Sequence, residues 1–140
     1  MGRYIRLKDT LIDKDDIVTI YYNPEYNKFN DYSINILLQD GKNKGFDCIR
    51  EDWLREEIEK LEDDFREPLN CNIIQITTGI YINLNKISTA EIENVCMLDN
   101  TFIARINITW KDKINAPCVF ALDGDISVAH KILNVIQERG

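Results

Sequence analysis

Apolar and polar residues alternate along most of this chain, and in two places the spacing lengthens to that of a helix. Tyr4-Ile5-Arg6-Leu7 alternates as a strand does, and Leu11-Ile12 follows a Lys-Asp-Thr turn. Ile17 to Tyr22 is rich in β-branched and aromatic residues and predicts another strand. Asn23-Pro24-Glu25 stops it, because proline cannot continue a ladder and asparagine favours turns. Tyr32 to Leu38 is the cleanest alternation of the first half, Gln39-Asp40-Gly41-Lys42-Asn43 signals a hairpin, and Lys44 to Ile49 returns as a shorter strand. Leu54, Ile58, Leu61 and Phe65 then follow at spacings of four, three and four, one face of a helix over residues 51–66. Asp52 is its expected N-cap, and the helix must end before Pro68.

The second half has the same order. Ile73 to Thr77, Ile80 to Leu84 and Ile87 to Ile92 read as strands, with Gly79 between the first two. Thr101 to Trp110 is a long strand with Phe102, Ala104, Ile106, Ile108 and Trp110 on one face, and Pro117 to Leu122 returns. Asp123-Gly124-Asp125 ends that strand and supplies a cap for a helix from Ile126 to Gln137, with Ala129, Ile132, Leu133 and Ile136 inward. At an offset of seventy, Tyr32, Ile34, Ile36 and Leu38 fall on Phe102, Ala104, Ile106 and Ile108, Ile12 and Ile17 on Ile82 and Ile87, and Cys48 on Cys118. After a slip of four more residues, Leu54, Ile58 and Leu61 fall on Val128, Ile132 and Val135. A repeat of this kind sets the architecture. The expectation is an α+β fold in which an antiparallel meander-plus-helix unit, ββββα, occurs twice, as units 3–66 and 72–138 joined by a linker at 67–71. A lone meander with one apolar face is unstable, so the units are expected to pack as one pseudo-two-fold domain over residues 1–140.

Composition places the chain among ordinary globular proteins, with 44% hydrophobic and 29% charged residues in 140. No apolar run is long enough to span a bilayer, and Met-Gly-Arg-Tyr-Ile-Arg lacks the features of a signal peptide, so a cytoplasmic location without membrane attachment is expected. Cys48, Cys71, Cys96 and Cys118 include no Cys-x-x-Cys pair and suit reduced, mostly buried thiols. Abundant Ile, Asn, Lys and Tyr with little Ala suggests the AT-rich codons of a low-GC bacterium, a phage or a mobile element.

Charge changes the picture more. Of the net −7, residues 1–70 carry 17 acidic and 11 basic side chains, and residues 71–140 carry 7 and 6. Such a balance disfavours phosphate backbones and favours a basic protein partner. The excess is densest on the first long helix, where Glu56, Glu59 and Asp63 share the face opposite the apolar stripe and Glu62 lies at its edge. The plain reading of that helix is a solvated face with internal pairs such as Glu56–Lys60 and Glu62–Arg66. The functional one is a negative surface that docks on basic protein. Tyr21, Tyr22, Tyr26 and Phe29 crowd around Pro24, where the second half has Glu91, Ile92, Glu93, Asn94 and Val95. Tyr22, Tyr26 and Phe29 are therefore candidate contact residues beside the acidic face.

Reactive motifs are scarce. Asp9, Asp13, Asp15 and Asp16 lack the glycine and distal glutamate of a calcium loop, and His130 is the only histidine. No P-loop, dinucleotide fingerprint, nucleophile elbow or zinc pattern occurs, so neither enzymatic activity nor a metal or cofactor is expected. The primary expectation is a non-enzymatic acidic module, monomeric or homodimeric, that inhibits or neutralises a protein through its basic surface. The alternative is a single-stranded nucleic-acid binder. Two successive four-strand-plus-helix units resemble, in topology alone, the Pur-type and Whirly-type proteins, and no motif carries their residues over; independently, Tyr22, Tyr32, Phe102 and Trp110 on sheet faces are candidates to stack bases, with Arg3, Arg6, Lys8, Lys42 and Lys44 as a local basic stripe.

Overall fold

The alternating segments form strands and the four-three-four segment forms a helix, in a mixed α+β chain. The computed structural model describes residues 3–65, 72–96, 98–100, 102–111, 118–122 and 126–139. The expected linker 67–71, Asp112, Lys113, Pro117 and the cap segment 123–125 lie outside the described residues. The chain divides into two compact units, Met1–Asn83 and Leu84–Gly140.

In the first unit β1 (Tyr4–Leu7) and β2 (Thr10–Asp13) make a two-stranded hairpin. Asp13 then closes a 3-10 turn over Lys14–Asp16 by accepting from the Asp15 amide at 3.0 Å, and it pairs with Arg3 at 2.8 Å. The acidic run 13–16 is thus a capped turn. β3 (Ile17–Tyr22) leads to α1 (Tyr26–Phe29), a single helical turn that ends at Asn30 in the left-handed region. β4 (Ser33–Leu38) and β5 (Asn43–Asp47) follow, with Gly41 at positive φ in their connection, and α2 covers Glu51–Phe65.

β6 (Ile73–Thr77) and β7 (Ile80–Asn83), which the repeat assigns to the second half, join this same sheet. Its order is β5-β4-β3-β7-β6, antiparallel throughout, with Thr19, Ile20 and Tyr21 opposite Ile82, Tyr81 and Ile80. Buried Asn83 locks the junction by donating to the Ile17 carbonyl at 2.8 Å. One core results, in which Ile5 and Leu7 of β1, Ile20 of β3, Ile34 and Ile36 of β4, and Leu54, Ile58 and Leu61 of α2 are all buried. Each such aliphatic side chain contributes about 1.5–3 kcal/mol by leaving water.

α2 begins two residues earlier than a cap at Asp52 allows. The Arg50 amide donates to the Cys48 carbonyl at 2.7 Å, and the Leu54 amide to the Arg50 carbonyl at 3.2 Å. The turn at Ile49 therefore starts the helix at Glu51, leaving Asp52 in the first turn, where its charge suits the helix dipole and pairs with Arg50 at 3.2 Å.

In the second unit β8 (Ile87–Cys96), β9 (Phe102–Trp110) and β10 (Cys118–Leu122) form an antiparallel meander, order β10-β9-β8, packed by α3 (Ile126–Arg139). Ala104, Ile106, Ile108 and Trp110 are buried, as alternation predicts. Ala129 and Ile132 are buried on α3, whereas Val135, laid over buried Leu61 by the repeat, is exposed. Ala129 and Ile136 fall on Leu54 and Leu61 only after a slip of five residues, because the inward stripe of α3 starts one residue later. Among the described residues no helix is long and apolar enough to cross a membrane.

Candidate functional site

With Leu54, Ile58 and Leu61 inward, the three remaining sides of α2 meet different surroundings. The outer side carries Glu56, Glu59 and Asp63, all exposed. Neither Glu56 nor Glu59 has an ion-pair or hydrogen-bond partner among the described residues. Three other carboxylates of the helix are engaged in ion pairs. Glu51 pairs with Arg55, Asp52 with Arg50, and Glu57 with Lys60 at 3.5 Å, so Lys60 serves Glu57 rather than the expected Glu56. The expected Glu62–Arg66 pair involves a residue outside those described.

Glu62 turns to the second side, toward the sheet. Its Oε1 accepts from the Tyr81 hydroxyl at 3.1 Å, and that hydroxyl is in turn hydrogen-bonded to Tyr22. Burial pushes both phenols above their ordinary pKa, and the neighbouring Glu62 charge pushes in the same direction. Tyr22 is only 6% exposed, and the ring of Phe65 packs 5.7 Å from that of Tyr81. Tyr22 and Glu62 are therefore parts of a structural chain from α2 to β7 rather than a surface. Tyr81 was not among the residues singled out from the sequence, and only its polar hydroxyl within the apolar run Ile80-Tyr81-Ile82 marks it.

The aromatic loop does meet the acidic helix, through polar side chains. Arg55 Nε donates to the Tyr26 hydroxyl at 3.2 Å, and Asn27 Nδ2 donates to Glu51 Oε1 at 2.9 Å. Tyr26 and Tyr32 lie 6.2 Å apart, both half-buried against the core. Phe29 is 60% exposed, with the Lys28 ammonium 5.5 Å from its ring centre. Of the predicted contact residues, Glu56, Glu59, Asp63 and Phe29 are exposed, Tyr26 is half-buried, and Tyr22 and Glu62 are turned inward.

The third side of α2 faces the β1–β2 turn. Trp53, absent from the predicted set, lies there outside the apolar stripe, with the Arg50 guanidinium 4.4 Å from its ring centre. A tryptophan off the buried stripe of an amphipathic helix is the signal that could have marked it.

The base-stacking set is not assembled. Tyr22 and Trp110 are buried, and the side chain of Phe102 lies outside what is described. Of the basic stripe, Arg3 is paired with Asp13, Arg6 lies 3.9 Å from Asp9, and Lys8 Nζ donates to the Asp47 carbonyl. Among the described residues no group of three or more His, Cys, Asp or Glu side chains is placed to hold a metal ion. No family model matches this chain, and no curated protein or solved structure matches it significantly.

Proposed function

We propose that this chain is a non-enzymatic, acidic protein-binding module whose outer α2 face, Glu56, Glu59 and Asp63, docks on a basic surface of its target. The observation that carries the reading is the division of labour on α2. Its flanking carboxylates Glu51 and Glu57 are used internally, while Glu56 and Glu59 project into solvent with no internal cation among the described residues. Arg55 and Lys60 stand four residues from Glu59 and Glu56, at the spacing of a helical ion pair, yet they serve Glu51 and Glu57 instead. Phe29 extends the face, because its loop is tied to the same helix through Tyr26–Arg55 and Asn27–Glu51. The concrete role is that of a cytoplasmic inhibitor or neutralising protein of bacterial, phage or mobile-element origin. Duplication of an ancestral strand-and-helix unit accounts for its construction. The like order of elements in the two halves supports this, as do register shifts at Ile17/Thr19 and Ile87/Thr89, at corresponding places.

Affinity capture from a bacterial extract, with wild type and the triple variant E56K/E59K/D63K side by side, tests the docking face. The expected outcome is a basic protein retained by the wild type and lost by the triple variant, with unchanged circular dichroism. Equal retention by a folded triple variant overturns the proposal.

A further inference from the structure

We infer that two copies of this chain pair edge to edge through β5, antiparallel and two-fold symmetric about Gly45. This interface is independent of the acidic docking face and uses a different surface. β5 ends the sheet order β5-β4-β3-β7-β6, and among the described residues no strand lies on its other side. Its ladder with β4 fixes which backbone groups are left over. The Leu38 amide donates to the Lys42 carbonyl at 2.9 Å and the Cys48 amide to the Tyr32 carbonyl at 2.8 Å, with an unbroken register between them. Lys42, Lys44, Phe46 and Cys48 therefore turn their backbone groups toward β4, and Asn43, Gly45 and Asp47 turn theirs away. Asn43, Gly45 and Asp47 are all exposed. A row of outward N–H and C=O groups on an exposed edge is a template for a further strand.

The edge is short, and its ends are set. At one end is the β4–β5 turn, with Gly41 at positive φ. At the other, the Lys8 ammonium donates to the Asp47 carbonyl, and the Asp47 carboxylate accepts from the Ile49 amide at 2.9 Å. Ile49 is held there at φ +68, a left-handed conformation that β-branched residues avoid and that does not continue a strand. The Asp47 carbonyl keeps a second lone pair for an incoming amide. Between these ends lies Gly45. Its φ is outside the left-handed region, and the ladder has no bulge there. Glycine weakens a strand interior, and in such a place it marks where another backbone comes close.

Charge selects the occupant and its register. A strand on this edge must match outward residues to outward residues, so a two-fold pairing of β5 with itself can centre on any one residue of the strand. Centring on Lys44 opposes two ammonium groups, centring on Asp47 opposes two carboxylates, and centring on Asn43 sets Lys42 against the partner's Lys44. Like charges directly opposite are destabilising. Centring on Phe46 carries Asn43 past the end of the partner's strand, to its Ile49. Centring on Gly45 overlays the whole of β5. Asn43 then exchanges backbone bonds with the partner's Asp47 and sets its side-chain amide beside that carboxylate. Lys44 lies opposite the partner's Phe46, and the two glycines meet on the axis. The edge is its own complement, as an isologous interface requires, and this commits the occupant to a second copy.

Sedimentation equilibrium of the full chain from micromolar to millimolar concentration tests the pairing, with amide hydrogen exchange measured at both ends of that range. A reversible monomer–dimer equilibrium is expected. Exchange at Asn43, Gly45 and Asp47 should slow as the dimer forms, with little change at Lys44 and Phe46, whose amides the β4 ladder already protects. Gly45→Pro should abolish the dimer with unchanged circular dichroism. The N–H it deletes points away from β4, and proline is tolerated on an edge strand in that position. A β-carbon there meets only the tip of a side chain, Asn35 Oδ1 at 3.2 Å. Asn43→Lys should tighten the dimer and Asn43→Asp loosen it, each by about twofold to thirtyfold, because the pair with Asp47 forms twice across the axis. Opposite responses are specific to this register, since in no other does residue 43 face Asp47. A chain that stays monomeric to millimolar concentration, a dimer that survives Gly45→Pro, or Asn43 variants that shift in the same direction overturns the inference. Protection of β5 that appears only when a basic protein partner is added also overturns it, and assigns the edge to that partner.

Discussion

A β-carbon on Gly79 would sit 2.3 Å from the Tyr22 carbonyl oxygen, in a turn whose φ of +86 already disfavours any other residue. Both atoms are backbone-fixed, since the Tyr22 amide donates to the Gly79 carbonyl at 2.9 Å. Gly41 has nearly the same φ but nothing within 4 Å of the added carbon. The two substitutions therefore separate strain from collision. Gly41→Ala should cost about 1 kcal/mol, and Gly79→Ala about 3 kcal/mol or more, in urea unfolding. Equal losses would mean that the close approach of β3 to the β6–β7 turn contributes nothing. Ile49 shows the opposite case, a strained position occupied by a residue that nothing in its local sequence announces. Glu62 is similar, since on a helical wheel it sits at the edge of the acidic face, and only the distant Tyr81 draws it inward. Such residues are illegible because their partners lie outside the window that periodicity covers.

At the scale of elements, the chain from Tyr22 through Tyr81 to Glu62 makes stability depend on alkaline pH. In the native protein both phenols hold their protons more tightly than an ordinary tyrosine, because burial and then the Glu62 charge oppose ionisation. The unfolded chain releases them near pH 10. Their contribution is therefore intact below about pH 10 and is lost as pH rises above it, where the unfolded state binds fewer protons. Tyr81→Phe should lower stability at neutral pH by about 0.5–1.5 kcal/mol through the lost hydrogen bond, and should make the alkaline decline shallower than in wild type. Urea midpoints on either side of pH 10 check both; parallel declines would exclude Tyr81 from the effect. The individual elements were largely legible. Ile17–Tyr22 is a strand with the expected bounds, and the Leu54, Ile58 and Leu61 stripe is buried. What alternation cannot encode is which strand lies beside which. Ile80–Asn83 has the pattern of any half-buried strand, and its pairing with β3 depends on a match of edges sixty residues apart. The single turn of α1 likewise leaves no signature in the sequence, because four residues are too few to show a period.

For the whole molecule, that pairing decides what can be cut. Residues 3–66 match the first repeat unit, yet they lack Tyr81 and Ile82 from the core and leave one edge of β3 without partners. A polypeptide of residues 1–66 should show no cooperative unfolding transition, whereas one of residues 1–83 should. A sharp transition in the shorter fragment would refute the claim that β6 and β7 are integral to the first unit. The same arrangement bears on vectorial synthesis. β3 is complete once Tyr22 has been added, but its neighbour β7 is complete only at Asn83, roughly sixty residues later, a delay of about 3–12 s at about 5–20 residues per second. From the completion of β5 at Asp47 until β7 follows, the nascent chain carries β3, β4 and β5 with one edge of β3 unpartnered, the state in which a strand from a neighbouring chain or a chaperone competes for the place that β7 will take.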